Sequence, residues 1–267
     1  MVVVTGASSG IGEAAARELH GLGATVVPVG RDENRLGRVA AAVEAEPMVA
    51  DFASLEAVRT LAAALLERHP RIDVLVNNAG LVSGRRRLSA DGYELTFAVN
   101  HLAPFLLTNL LLDRLRESGA GRVVTTSSGA HHGGLIDLDD LQLERGRFSG
   151  NRAYSNSKLA NVLFTRELAR REGAIAANCF HPGVIRTRLA RGAGPLVRVG
   201  ALVAAPVLAS PTTGASTLVW LASSKEAGKE SGGYFERRQP GRLSAQAQDE
   251  ALARALWERS AQLTGLA

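Results

Sequence analysis

Lysine is almost missing from this chain. Of its 31 basic side chains only three are lysine, at Lys158, Lys225 and Lys229. Cysteine occurs once, at Cys179, so no intrachain disulfide can form and a reducing cytoplasm is the natural setting. Aromatic residues make up 4% of the 267 residues, which is poor material for platforms on which bases stack. No run of four basic residues occurs, and the densest cluster is Arg85-Arg86-Arg87. A formal charge of +5 therefore gives general attraction to anions and argues against a nucleic-acid function. The N-terminus "MVVVTGASSG" lacks the positive leader and apolar segment of a signal peptide. The most apolar stretch, Leu196 to Ala209, is shorter than about 20 residues and contains Arg198 and Pro206, so no membrane span is expected.

What is present is a regular alternation. β-branched runs at Val2–Val4, Thr25–Gly30, Ile72–Asn78, Arg122–Ser128 and Ala174–His181 are separated by Ala/Leu/Glu/Arg-rich segments of helical length. These include Gly12–Leu22, Ser54–Arg68, Asn100–Glu117 and Ala153–Glu172. Apolar strands alternating with helices predict an α/β fold, a doubly wound, Rossmann-type parallel sheet covered on both faces. No linker or composition break divides the chain, so residues 1–267 read as a single domain. Ligands of such sheets bind beyond the carboxyl ends of the strands. That rule ranks Thr5–Gly12, Gly30–Asp32, Asn77–Gly80, Ser127–Ser128 and His181–Thr187 as the places to look.

The first strand runs into Thr5-Gly6-Ala7-Ser8-Ser9-Gly10-Ile11-Gly12. Glycines here let a backbone approach a bound group, and the free N–H groups of the following helix suit a pyrophosphate. The same residues also read as G-x-S-x-G, the nucleophile elbow of a serine hydrolase with Ser8 as nucleophile. Against that alternative, only five residues precede Gly6, which leaves no upstream loop to supply the second oxyanion donor. The second strand ends at Gly30, followed by Arg31 and, one turn on, Arg35. Guanidinium groups there suit a ribose 2′-phosphate, so NADP(H) is favoured, with NAD(H) as the alternative. Asp32 is read as the cap of the next helix.

Tyr154 and Lys158 lie four apart in a helical segment and share a face. Surface cations in this chain are nearly all arginine, so a lysine here marks a task for a compact ammonium. Such a group can bond ribose hydroxyls and, by its field, lower the pKa of a neighbouring phenol from about 10. His131 and His132 invite a metal reading, but adjacent histidines diverge and no partner ligand has helical spacing, so no metal is expected. Cys179, mid-strand, reads as a small buried hydrophobe.

On these residues the chain resembles the short-chain dehydrogenase/reductase family, in its retinol dehydrogenase-like branch. "TGASSGIG", "NNAG" (Asn77 to Gly80), "VNHLAPFLLTNLLLDRL" (from Val99), "TTSSGAHH" and "AYSNSKLANVLFTRELA" match its motifs in order, and "HPGVIRT" and "SGGYF" complete them. The resemblance spans nearly the whole chain and implies a catalytic tetrad. Tyr154 would exchange a proton with the substrate oxygen, and Lys158 would hold the nicotinamide ribose. Ser128, rather than Ser127, would hydrogen-bond the carbonyl oxygen, while Asn100 would support a water linking Lys158 to solvent. It further implies cofactor contacts from Gly6, Ser8, Ser9, Gly10, Ile11 and Gly12, and from Asp51 and Phe52 at the adenine. Asn78, Ala79 and Gly80 would meet the adenosine ribose, with Pro182, Val184 and Thr187 at the nicotinamide.

The expected substrate is a small apolar aldehyde, ketone or alcohol. It would be held by residues after Ser128, by Leu81–Leu88 and by a lid near residues 188–210. Family habit implies a homo-oligomer, dimer or tetramer, paired through the helices beginning near Asn100 and Ala153. A dinucleotide-sensing protein without catalysis is the second alternative. Three departures stand out: the first strand begins abruptly at Met1, the segment from Glu44 to Met48 is short, and Ala103-Pro104 replaces the branch's Gly-His. The first implies a start upstream of Met1.

Overall fold

The computed structural model of the protein describes residues 1–183 and 209–267. Eight strands form one sheet in the order β3-β2-β1-β4-β5-β6-β7-β8. They are β1 (Val2–Thr5), β2 (Val26–Gly30), β3 (Met48–Val49), β4 (Val74–Asn77), β5 (Arg122–Thr126), β6 (Ala176–His181), β7 (Tyr234–Glu236) and β8 (Gln239–Pro240). All neighbours pair in parallel except β7 with β8. Every residue of β1, β2 and β4 is buried, as strands covered on both faces must be. β3 reaches only Val29 and Gly30 of β2. One side of β2 therefore has no partner strand at Pro28, the setting in which a proline is tolerated.

The sheet divides two apolar clusters. Helices α1 (Gly10–Gly21), α2 (Glu33–Ala42) and Pro211–Ser223 bury one face with Ala15, Leu19, Leu36 and Leu218. Helices α3 (Leu55–Arg68), α5 (Ala103–Glu117) and α6 (Gly150–Arg171) bury the other with Leu65, Leu106, Leu163 and their neighbours. The winding reverses between β1 and β4. The glycine turn after β1 and the Asn78–Gly80 turn after β4 consequently meet at one crevice.

Caps set several boundaries. Asp32 accepts the Arg35 N–H at 3.1 Å and starts α2. Ser54 accepts from Ala57 at 3.2 Å and starts α3. Ser149 accepts from Arg152, so α6 begins at Gly150, three residues before the sequence pattern suggests. The segment expected to be helical from Asn100 instead opens with a short helix, α4 (Leu95–Phe97), and a π turn at Ala98–Leu102. Pro104 accounts for part of this, because it has no N–H to donate to the Asn100 carbonyl four residues back.

The run Leu95–Glu117 is long and apolar enough to cross a membrane, yet 89% of its apolar window is buried inside the domain, as in a core helix. The C-terminal helix Glu250–Thr264 packs over this run and over α6. Trp257 stacks on Phe164 (5.8 Å between ring centroids) and meets Phe105 edge-on (4.9 Å), while Ser260 Oγ lies 2.9 Å from His101 Nε2. The chain's own C-terminus thus covers part of the helices that family habit pairs across a two-fold axis. From Ser157 to Thr165, every α6 residue is buried within the single chain.

Candidate active site

Helix α6 carries a polar stripe through an apolar helix: Tyr154, Ser157, Lys158, Asn161 and Thr165, each three or four residues from another of the set. The stripe faces the end of β5. Lys158, only 4% exposed, donates from Nζ to the Thr126 carbonyl at 3.0 Å, and Asn161 Nδ2 donates to the same oxygen at 3.2 Å. Alternation along the strand separates the two serines that follow. Ser127 turns inward and donates to the Lys158 carbonyl at 2.8 Å. Ser128 Oγ accepts the Ala130 N–H at 3.2 Å and stands near enough to the Tyr154 phenol to pull its pKa down. The Lys158 ammonium stands 5.6 Å from the centre of the Tyr154 ring.

Asn100 lies in the π turn, a local irregularity that recurs at functional sites. It clamps the loop after β4 from both sides. Its Oδ1 accepts the Leu81 N–H at 2.8 Å, and its Nδ2 donates to the Leu81 carbonyl and to Ser157 Oγ, both at 3.0 Å. A Cβ added at Gly80 would stand 3.2 Å from Asn100 Oδ1 and 3.8 Å from Lys158 Nζ, so Gly80 lies against this pair.

The crevice continues to the glycine turn. Gly6 and Gly10 have φ of +68° and +62°, a region L side chains avoid. A Cβ on Gly12 would fall 2.4 Å from the Gly6 carbonyl oxygen, so only glycine allows α1 to start this close to the turn. Ser9 is the N-cap of α1 but makes no side-chain bond to it, unlike the caps of α2, α3 and α6. The first-turn N–H groups beside Gly10, Ile11 and Gly12 are therefore not occupied by a cap. Thr5 ties the turn to β4: its Oγ1 accepts from the N–H of Asn78 (2.9 Å) and of Ala79 (3.1 Å).

At the other end of the crevice a Cβ on Gly30 would lie 3.3 Å from Ser8 Oγ, which brings Ser8 beside the end of β2. Arg31 is well exposed and faces Asp51 at 3.7 Å; Arg35 pairs with Asp32 at 3.0 Å. Phe52 is buried behind Asp51. Pro182 follows directly on β6, while Val184, Thr187 and nearly all of the segment near 188–210 lie outside the described residues.

Comparison with known proteins gives the family. The family described as short chain dehydrogenase matches residues 1–195. The chain belongs to the short-chain dehydrogenase family. It is accordingly an oxidoreductase. Retinol dehydrogenase 14 of Homo sapiens is 42% identical over 99% of this chain and 86% of its own length. A Streptomyces protein named, provisionally, as a daunorubicin C-13 ketoreductase is 43% identical over 99% of this chain and 92% of its own length. Among solved structures, an uncharacterised protein from Mycobacterium paratuberculosis superposes with a TM-score of 0.80 at 37% identity, over 99% of this chain and 92% of that one. A short-chain dehydrogenase from Escherichia coli CFT073, solved with NADPH, gives 0.70 at 28% identity over 89% and 96%.

Within the family frame, one expectation from the sequence is overturned. The ammonium of Lys158 was expected to make the Tyr154 phenol unusually acidic. In the structure burial is the larger influence and raises the phenol, with the Ser128 hydrogen bond acting in the opposite sense. The shift falls on the lysine instead: burial lowers Lys158 from its ordinary range to about 8. Among the described residues the Ser8 hydroxyl makes no hydrogen bond to a histidine, so the hydrolase arrangement is not assembled there. Among the described residues, no cluster of three or more His, Cys, Asp or Glu side chains could hold a metal ion.

The sequence assigns no site role to Thr5, Ser157 or Asn161, and weighs His131 only as a metal ligand. The first three had a signal in the sequence, since Ser157 and Asn161 extend the Tyr154–Lys158 face at helical spacing and Thr5 opens the glycine turn. His131 had none, because its partners are remote in sequence.

Proposed function

We propose that the protein is an NADP(H)-dependent reductase of small apolar aldehydes and ketones, able to run in reverse on the corresponding alcohols. The observation that carries the reading is the meeting of phenol, hydroxyl and ammonium from Tyr154, Ser128 and Lys158 at the carboxyl end of β5. NADPH, when bound, supplies the hydride. The protein's residues fit such a dinucleotide. The uncapped start of α1 and the Gly6–Gly12 turn suit the pyrophosphate, and Asn78, Ala79 and Gly80 suit the adenosine ribose. Asp51 and Phe52 are assigned to the adenine on the family resemblance. Arg31 and Arg35 would bind a 2′-phosphate by exchanging exposed carboxylate partners, which costs little because such surface pairs are weak. Pro182, with Val184 and Thr187, is assigned to the nicotinamide end on the family resemblance.

In this reading Ser128 donates to the substrate carbonyl oxygen, an oxyanion donor, and Tyr154 delivers the proton as charge builds there. A phenol held protonated by burial is ready as an acid, which favours reduction near neutral pH. Oxidation needs the phenolate, so its rate climbs as pH rises. Lys158 holds the ribose side of the site and remains mostly charged below pH 8. Asn100 keeps the Leu81 loop closed on this group and supports proton exchange with solvent. Relatives named as a retinol dehydrogenase and a daunorubicin ketoreductase support an alcohol or ketone as substrate. Leu88 and Leu135, 52% and 62% exposed, are assigned to the mouth of its pocket. The segment near 188–210, rich in Leu, Val and Ala, is assigned to the cover of a single unit spanning 1–267.

NADPH oxidation against a panel of hydrophobic aldehydes and ketones, repeated with NADH, tests the reading. Turnover should be faster with NADPH. Tyr154→Phe should abolish turnover while leaving NADPH affinity within a few fold. An unaltered rate in that variant refutes the assignment; NADPH binding with no turnover of any carbonyl favours a dinucleotide sensor.

A further inference from the structure

Ser128 stands at the head of a short 3-10 turn, Gly129–Gly133, that carries His131. The His131 side chain is fully buried. Its ring Nδ1 lies 2.9 Å from the Ser128 carbonyl oxygen, which also accepts the His131 backbone N–H at 3.0 Å. On the far side, its Nε2 faces the Ser244 backbone N–H at 3.4 Å. These two partners determine the protonation state. A carbonyl can only accept, so Nδ1 must carry the hydrogen; a backbone N–H can only donate, so Nε2 must be bare. The neutral Nδ1–H imidazole alone satisfies both.

The ring is wedged against Tyr234 (4.7 Å between centroids) and His132 (4.0 Å). It thereby ties the turn of Ser128 to the segment before the C-terminal helix. A second tie runs from the Ile136 N–H to Gln246 Oε1 at 3.0 Å.

We infer that His131 is a positioning residue. By gripping the Ser128 carbonyl in its neutral Nδ1–H form, it fixes the turn from which the Ser128 hydroxyl is aimed at the substrate oxygen. This rests on the reading of Ser128 as oxyanion donor. A second proton on the ring would set Nε2–H against the Ser244 N–H, two donors facing each other, and the tie would open. The surroundings oppose that proton on balance: burial comes first, His132 and His181 add repulsion, and the Ser128 bond and Glu236 pull the other way. Tyr234, the other neighbour, donates its hydroxyl to Glu236 at 2.9 Å. Activity should therefore have an acid limb lying below the usual histidine range.

The test uses the whole chain, with NADPH and one carbonyl found active in the panel. His131→Phe keeps a ring but loses both bonds. It should lower kcat by about tenfold to a hundredfold, less than removal of an oxyanion donor outright, with the KM for NADPH within about twofold. His131→Asn places an amide N–H where Nδ1 stands and cannot titrate. It should recover kcat to within about threefold of the parent and lose the acid limb. In a Ser128→Ala background, His131→Phe should have no further effect on kcat, because it acts through Ser128.

Three outcomes overturn the inference: an equal loss from His131→Phe with and without Ser128, an acid limb unchanged in His131→Asn, or a normal kcat in His131→Phe when Ser128→Ala is inactive. Full activity of Ser128→Ala would instead overturn the underlying reading of the site. Nitrogen NMR of the His131 ring reads the Nδ1–H tautomer independently of turnover.

Discussion

Replacing Lys158 by methionine isolates what it costs the fold to bury an ammonium, since the two side chains are similar in length. The folded value is about 8 and the unfolded one about 10.4. The difference is a little over two units, or about 3 kcal/mol at roughly 1.36 kcal/mol per unit. The folded value lies below the unfolded one. Below pH 8 both states hold the proton and the fold carries the whole cost. Between about 8 and 10.4 the folded lysine is neutral while the unfolded one is still charged, so stability climbs with pH. Above that window the cost is gone. The methionine variant loses the Nζ bond to the Thr126 carbonyl, but Asn161 Nδ2 still donates to that oxygen, so no buried acceptor is orphaned. Lys158→Met should thus be more stable than the parent by about 1–3 kcal/mol at pH 7, and that difference should shrink toward zero or reverse by pH 10.5. Urea unfolding without dinucleotide, at intervals from pH 7 to 10.5, measures it, provided the slopes of the two proteins agree. Other titrating groups cancel in the difference. A gap constant with pH, or a variant less stable at pH 7, would refute the reasoning. The same variant should lose turnover, which would mark the ammonium as a group held for chemistry at the fold's expense.

Further expectations follow from groups away from the reacting atoms. Burial pushes the Cys179 thiol up to about 12, so at pH 8 its alkylation by iodoacetamide should be slower than that of a free thiol by more than about a thousandfold. Labelling at the rate of a model thiol in the native protein would contradict its burial. His101 is lowered by burial to about 4, below the unfolded value, so the unfolded chain takes the proton first as pH falls. Stability should drop by about 3 kcal/mol between pH 6.5 and 4 relative to a His101→Leu chain; parallel pH profiles for the two chains would refute this. With α5 and α6 partly covered by the C-terminal helix, the protein should sediment at the mass of one chain, and Trp257→Ala should promote association. A native dimer cross-linked through α5 and α6 would show that the cover yields to a partner.

The sequence disclosed the sheet and the crevice because both are written in local periods. Apolar runs separated by helices gave the parallel strands, and the glycine turn marked the switch point, where Gly12 fits only as glycine. The shared face of Tyr154 and Lys158 was legible for the same reason, a four-residue spacing, whereas Ser128 was singled out over Ser127 by the family resemblance. The two-residue β3 and the three-residue β7 were harder to read, since neither is long enough to show a period. The π turn at Asn100 was hidden, because its cause is a missing donor at Pro104 and a clamp on Leu81, nineteen residues away. The acidity of Tyr154 was misjudged for a deeper reason. Spacing shows that an ammonium is near a phenol, but not how much water both have lost. In this fold the loss of water moves the lysine down and the tyrosine up. A charge pair read from a helix face gives the partner; only the packing around it gives the sign of its effect.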